Sequence, residues 1–344
     1  MTITTISYKL RPFCLCKSDP SIDSATMSNV ATKVAVVGSG ISGAVCASAL
    51  AKNGISVTLF ESARGPGGRM SQRSLFMNGS LKVLLQNGKR ILDLLIASPR
   101  NFLTNDQEAP NKKYVGLPGM NSICKALCNE TGVESKFGAS IGSGVVLSDK
   151  SIASPRFTHV TGRPPPLDLS LTPELALKLQ DIPVSPCFAL MLAFAEPLSS
   201  ISVKGFSFKN SEILRWSHCE SSKPGRSTVS ERWVLHSTAN YASGVIAQTG
   251  LQKPSSATLT KVAEELFREF QSIGLNIPQP FFMKAHRWGS AFPTASIARE
   301  EKCLWDRKKR LAICGDFCVS PNVEGAILSG LAAASKLTEM LSCL

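Results

Sequence analysis

Short β-branched runs alternate with helical stripes of apolar residues along much of this chain. Val34-Ala35-Val36-Val37, after Lys33, is a continuous apolar run of the kind carried by strands buried on both faces. Gly38-Ser39-Gly40-Ile41-Ser42-Gly43 follows at once. Ala44–Lys52 then reads as a helix, with Val45, Ala49 and Leu50 on one face and Gly54 as its stop. Ile55–Phe60 reads as a second strand, ending at Glu61. Together these form one strand–turn–helix–turn–strand unit of about 30 residues.

Farther on, Asn121–Asn129 reads as a helix after the turn Gly116-Leu117-Pro118-Gly119, and Val145–Leu147 as a short strand. Thr172 starts a helix over Pro173–Leu179. Cys187–Ala195, Trp233–Ser237 and Phe281–Trp288 read as strands. Thr258–Ile273 is an amphipathic helix with Leu259, Val262, Leu266, Phe267 and Phe270 inward. Leu311–Cys314 is a last buried strand and Gly325–Leu341 a final helix rich in small residues. Residues 74–111 are irregular: Leu81–Leu85 and Ile91–Ile96 have helical character interrupted by Asn and Gly. Arg163-Pro164-Pro165-Pro166 is a stiff connector.

The expected class is α/β. A discontinuous dinucleotide-binding domain covers residues 31–73, 112–162 and 289–344, and a mixed-sheet α+β substrate domain covers 163–288.

At 344 residues and 43% apolar content a sizeable core is expected, and global disorder is excluded. The longest apolar run considered, Pro186–Phe194, is far short of a membrane span. The net charge is +13, of which residues 302–310 carry +4 in what reads as a solvated turn. Aromatics are not interleaved with a basic run, so no nucleic-acid partner is expected. The eleven cysteines lack zinc-ligand spacing and read as reduced, buried thiols, with no metal. Residues 1–30, rich in Ser and Thr with only two acids, read as a transit-like or disordered segment. A plastid location is therefore expected, or a cytoplasmic one if translation starts at Met27.

The chemistry starts at the turn after the first strand. Gly38 permits the tight bend, Gly40 removes a Cβ from the path of a pyrophosphate, and Gly43 lets helix and strand approach. The helix start at Ile41 and Ser42 then offers N–H groups and a positive dipole end to phosphates. Glu61 lies 18 residues past Gly43, where a carboxylate accepts ribose hydroxyls; an acid there argues against a 2′-phosphate. Next come Ser62-Ala63-Arg64-Gly65-Pro66-Gly67-Gly68-Arg69-Met70. Gly67-Gly68 gives a flat backbone, and Arg69, with Arg64 a second candidate, brings a cation towards a diphosphate.

Here the sequence resembles flavoproteins of amine-oxidase-like fold, whose second strand is followed by a Gly-Gly-Arg motif. Ile313-Cys314-Gly315-Asp316 and Asn322-Val323-Glu324-Gly325-Ala326-Ile327 agree. In that superfamily such a Gly-Asp reaches the ribityl and phosphate region, and the helix opening at Glu324-Gly325-Ala326 points its dipole at the isoalloxazine carbonyl. Together with Lys113-Tyr114-Val115-Gly116-Leu117-Pro118-Gly119-Met120-Asn121 and His286-Arg287-Trp288, these motifs look like plant renalase-like flavoproteins. The resemblance covers about residues 30–73 and 112–340.

It implies non-covalent FAD held by Gly38, Gly40, Ile41, Ser42, Gly43, Glu61, Ser62, Arg64, Gly67, Gly68, Arg69, Met70, Gly315, Asp316, Glu324, Gly325 and Ala326. It also implies oxidation of a dihydronicotinamide nucleotide by hydride transfer to flavin, with dioxygen as acceptor. His286 and Trp288 would line the substrate pocket, or belong to the core. No acid–base residue is evident from the sequence. An amine or polyene substrate on the same fold and a catalytically impaired nucleotide-binding isoform are the alternatives.

Two departures from the family stand out. Residues 74–111 lack its Asp-containing turn and its Trp- and Glu-rich stretch; codons for Met77-Asn78-Gly79 and Gln86-Asn87-Gly88 can each spell Glu-Trp in a shifted frame. Residues 138–146 run straight from Phe137-Gly138 into Gly144-Val145-Val146, where the family carries a β-hairpin. Both point to an alternatively spliced or mispredicted product.

Overall fold

A computed structural model describes residues 6–8, 33–71, 96–97, 113–138, 172–180, 182–226, 229–273 and 276–342. The expected features at Leu81–Leu85, residues 91–95, Val145–Leu147 and residues 163–166, and most of both departures from the family, lie outside the described residues.

In chain order the strands are β1 (Ile6–Tyr8), β2 (Lys33–Val37), β3 (Ser56–Glu61), β4 (Ile96–Ala97), β5 (Lys113–Tyr114), β6 (Val133–Phe137), β7 (Val184–Phe194), β8 (Gly205–Ser207), β9 (Leu214–Cys219), β10 (Glu231–Ser237), β11 (Phe282–Pro293), β12 (Leu304–Asp306) and β13 (Leu311–Ile313). The helices are α1 (Ile41–Lys52), α2 (Asn121–Cys128), α3 (Pro173–Gln180), α4 (Ala239–Thr249), α5 (Ser256–Gln271), α6 (Asp316–Val319) and α7 (Val323–Ser342).

The first sheet runs β12-β13-β1-β2-β3-β6. β2, β3 and β6 are parallel, as crossovers through helices require, and β1, β12 and β13 pair antiparallel. Alternate residues feed opposite faces. Val34, Val36, Val57, Leu59 and Ala312 pack under α1, α2 and α7. On the other face Ala35, Leu311 and Ile313 meet Leu175, Ala176 and Leu179 of α3. The second sheet, β11-β7-β10-β9-β8, is antiparallel at every described pair. One face of it, with Phe188, Leu190, Leu192, Trp233 and Leu235, is covered by Val262, Leu266, Phe267 and Phe270 of α5.

The two-part α/β plan is therefore present, with three corrections. The mixture of strand directions lies in the first sheet, not in the substrate sheet. The boundary between the parts also differs: α3 covers the first sheet, and the chain enters the second at Val184 and leaves it after Pro293. The antiparallel β7–β11 ladder, which shifts register between Trp288 and Phe292 and resumes to Val184↔Pro293, sets that limit. Finally, the segment read as transit-like or disordered contributes β1, inserted between β2 and β13 with Ile6 opposite Ala35 and Leu311. A short strand there covers backbone edges that β2 and β13 would otherwise leave open.

Candidate functional site

The glycine turns are held in place by their own backbones. Gly38 has φ +94 and donates its N–H to Phe60 O at 2.7 Å, which bends the chain sharply off β2. Gly40 is the N-cap of α1, with no side-chain cap hydrogen bond and no acid in the first turn. The leading N–H groups of that turn have no intrahelical carbonyl to bind, which makes them an anion seat. The helix begins at Ile41, three residues earlier than the apolar stripe indicates, so Ser42 and Gly43 are helical and buried. Gly67, at φ +124, donates to Ser39 O at 3.0 Å, and a Cβ on Gly68 would stand 3.4 Å from Gly40 Cα. The two turns therefore lie against each other.

A cavity of about 240 Å³ opens at this junction. Its walls include Gly40, Ile41, Ser42, Gly67, Arg69 and Met70 from the first two turns, and Gly315, Asp316, Asn322, Val323 and Ala326 from the far end of the chain. Cys187, His236, Trp288, Ala291 and Phe292 of the second sheet complete it. The two distant glycine-rich openings thus meet at one site. α7 reaches it because Gly330 packs on Ser42 O, where a Cβ would overlap the carbonyl. Ser329 Oγ also accepts the Gly315 N–H at 3.0 Å. Gly325 is equally crowded, against Ser320.

The charges differ from the sequence reading. Arg69 does not present an unengaged cation. It forms a bidentate pair with Asp316, at 2.8 and 2.6 Å, and donates to Ala291 O at 2.6 Å. Asp316 is 8% exposed, against 41% for Arg69. The pair is locally neutral, so the phosphate-binding character of the cavity rests on backbone N–H groups. Arg64 and Ser62 are exposed and do not line the cavity. Glu324, exposed in the first turn of α7, also lies outside the lining.

Glu61 lies outside it too. Its Oε2 accepts from Ser39 N (2.8 Å) and Ser39 Oγ (2.6 Å), and its Oε1 from Ala63 N (2.8 Å) and Ser62 Oγ (3.3 Å). Burial opposes ionisation there, but these bonds outweigh it and lower the carboxyl pKa. A carboxylate offers about four acceptor positions. All are taken, so a ribose hydroxyl must displace a present donor, and Ser62 is the longest bond of the four.

Trp288 lines the cavity; His286 stands one step behind it, with ring centroids 4.6 Å apart. The sequence reading missed His236 and Cys187. Both sit on strands and reach the cavity through register: His236 pairs with Ala189 and Cys187 with Trp288. The period-two alternation of β10, with Trp233 and Leu235 inward, would have put His236 on the opposite face. The eight described cysteines are all buried. Burial pushes the Cys318 thiol to about 11 and the Cys124 thiol to about 11, so they behave as small apolar side chains. Among the described residues no His, Cys, Asp and Glu group is arranged to hold a metal, and no helix is long and apolar enough to cross a membrane.

An FAD-type dinucleotide fits the chemistry of these walls at its flavin and diphosphate end: the uncapped start of α1, close glycine backbones and an apolar strand face. The cavity is smaller than the roughly 300–1,000 Å³ of common ligand pockets, so it accommodates part of such a molecule. The Glu61 end lies beyond it.

Residues 36–100 match the family described as an NAD(P)-binding Rossmann-like domain. Among solved structures, the chain is similar to an oxidoreductase from Methanosarcina mazei, at 11% identity and TM-score 0.45, covering 77% of this chain and 91% of that one. It is also similar to halogenase PltM, at 14% identity and TM-score 0.42, covering 89% of this chain and 68% of that one. A single-substitution PltM variant in complex with FAD gives 12% identity and TM-score 0.44, covering 89% and 69%. The strand–turn–helix–strand unit of β2, α1 and β3 with its glycine turns is Rossmann-like, carried by an α/β chain with a second, antiparallel sheet.

Proposed function

We propose that this chain is an FAD-dependent oxidoreductase of renalase type. It would oxidise a dihydronicotinamide nucleotide by hydride transfer to a non-covalently held flavin, with dioxygen as the final acceptor. One observation carries the reading: the turn at residues 38–43 and the turn at 315–326 share one cavity, although more than 270 positions separate them in the sequence. The family match over residues 36–100 supports a dinucleotide ligand.

When bound, FAD supplies a two-electron acceptor that no side chain provides. The chain's own residues bind and orient. The start of α1 at Gly40-Ile41-Ser42 would take the diphosphate. The Arg69–Asp316 pair fixes the floor between the turns, with Asp316 available to polar groups of the ribityl chain. Val323 and Ala326 bring the opening of α7 to the cavity. Trp288 and Phe292 exclude water and offer flat apolar surface to a ring substrate. The Ser- and Thr-rich composition of residues 1–30 supports a plastid location.

A visible spectrum of the purified protein, before and after adding FAD, tests the cofactor. Flavin bands in the protein-bound fraction are expected; a protein that stays colourless with added FAD overturns the reading. Anaerobic addition of NAD(P)H and its ring isomers should then bleach the bands, whereas bleaching only by amines or polyenes would replace the substrate.

A further inference from the structure

The reaction proposed above, dihydronicotinamide + O₂ + H⁺ → nicotinamide cation + H₂O₂, consumes one proton per turnover. Resting on that reading, we propose that His236 is the cavity's proton-exchanging residue and that His218 and Glu220 position it and connect it to solvent.

The cavity lining holds few groups able to do this. Arg69 and Asp316 are bound to each other. Burial raises the pKa of the Cys187 thiol and keeps it protonated. His236 is the remaining titratable side chain in the wall. It sits on β10 with Ala189 of β7 on one side and Trp216 of β9 on the other. His218, opposite Val234, is its diagonal neighbour on the same face. The imidazole centroids are 6.3 Å apart, with the rings at 79°. That spacing leaves room for a bridging water. His218 Nδ1 is buried without a hydrogen-bond partner, as such a water would require. On its other side, His218 Nε2 lies 3.4 Å from Glu220 Oε2. Glu220 meets Lys223 and, at 3.1 Å, Arg226. Imidazole, imidazole and carboxylate therefore follow one another from the cavity wall to the half-buried Glu220, which is paired with Lys223 and with the buried side chain of Arg226.

The groups facing His236 are Cys187 from β7, His218 and Arg215 from β9, and the Arg69–Asp316 pair across the cavity. From β11 it meets the Phe292 ring at 6.3 Å, and His286 stands beyond Ala189. Burial first, then His218 and Arg215, hold His236 at about 4. At neutral pH it is an uncharged imidazole, and negative charge entering the cavity draws a proton onto it. Glu220 is ionised throughout: burial opposes this, but His218, Lys223 and Arg226 together set it at about 2.

The test uses the full-length protein with added FAD and compares wild type with His236→Ala and Glu220→Gln. The two half-reactions are followed separately by stopped flow. In His236→Ala, reoxidation by dioxygen should slow at least about tenfold more than anaerobic reduction does, and added imidazole should restore it. Glu220→Gln should shift the pH profile of the same half-reaction. Equal slowing of both halves, or no rescue by imidazole, overturns the proposal. Imidazole nitrogen resonances, titrated by NMR, do not depend on flavin chemistry. The His236 midpoint should move in Glu220→Gln and in His218→Phe. If no flavin binds, the functional reading fails and this titration alone decides the relay, with an unmoved midpoint rejecting it.

Discussion

The cavity has two walls of different manufacture. The wall from the first sheet is backbone: glycine turns, helix starts and one ion pair, held by contacts that leave no room for a Cβ at Gly330 or Gly325. The wall from the second sheet is side chain: Trp288, His236, Cys187 and Phe292, brought together by antiparallel register. Backbone presents the same N–H groups to any dinucleotide. Side chains can be exchanged while the strands beneath them keep their core. The first wall suits a cofactor common to many reactions, and the second suits choice of substrate and chemistry.

That contrast can be broken at its joint. Arg69→Ala leaves the Asp316 carboxylate buried and unpaired, and it severs the link to Ala291. We expect a loss of about 3 kcal/mol in urea unfolding, at the low end for buried pairs because Arg69 is partly exposed, and weaker FAD retention. A loss under about 1 kcal/mol would show that the pair does not hold the site together.

The second test lies within the backbone wall. Gly330→Ala places a methyl against Ser42 O and must push α7 from α1, costing about 2 kcal/mol and lowering FAD affinity. Calorimetry measures both, and an unchanged affinity would separate helix packing from the cavity.

The smallest effect belongs to the side-chain wall. The pKa of His236 is depressed from 6.5 to about 4 on folding, so the folded state resists its protonation. Stability is full above about pH 6.5 and falls as the pH drops towards 4. His236→Phe should change little at pH 7 but remove a penalty of about 1.4 kcal/mol at pH 5.5. Thermal unfolding at the two pH values would show it, and parallel losses in both proteins would mean that His236 is not buried as described.

Local signals made the backbone wall legible in the sequence. Val34–Val37, the glycines at 38, 40 and 43, and Glu61 all fall within residues 34–61, and each constrains φ, helix start or strand end. The Arg69–Asp316 pair was not legible, because its partners lie 247 residues apart and each alone resembled a phosphate contact. Nor was His236. Its meeting with Cys187 and Trp288 depends on a register fixed by the whole sheet. α4 went unrecognised because Ala239–Thr249 buries only Ala242 deeply and shows no apolar stripe. The strand Val133–Phe137 was missed for a related reason: VESKF is too polar to announce an edge strand.

Arg69 touches three elements at once: the second glycine turn, the start of α6 and the carbonyl of Ala291 near the end of β11. Ala291 is three residues from Trp288 on the same strand. A ligand that draws on Asp316 would therefore pull on a tether anchored three residues from Trp288, so that one ion pair couples the glycine turns to the second sheet.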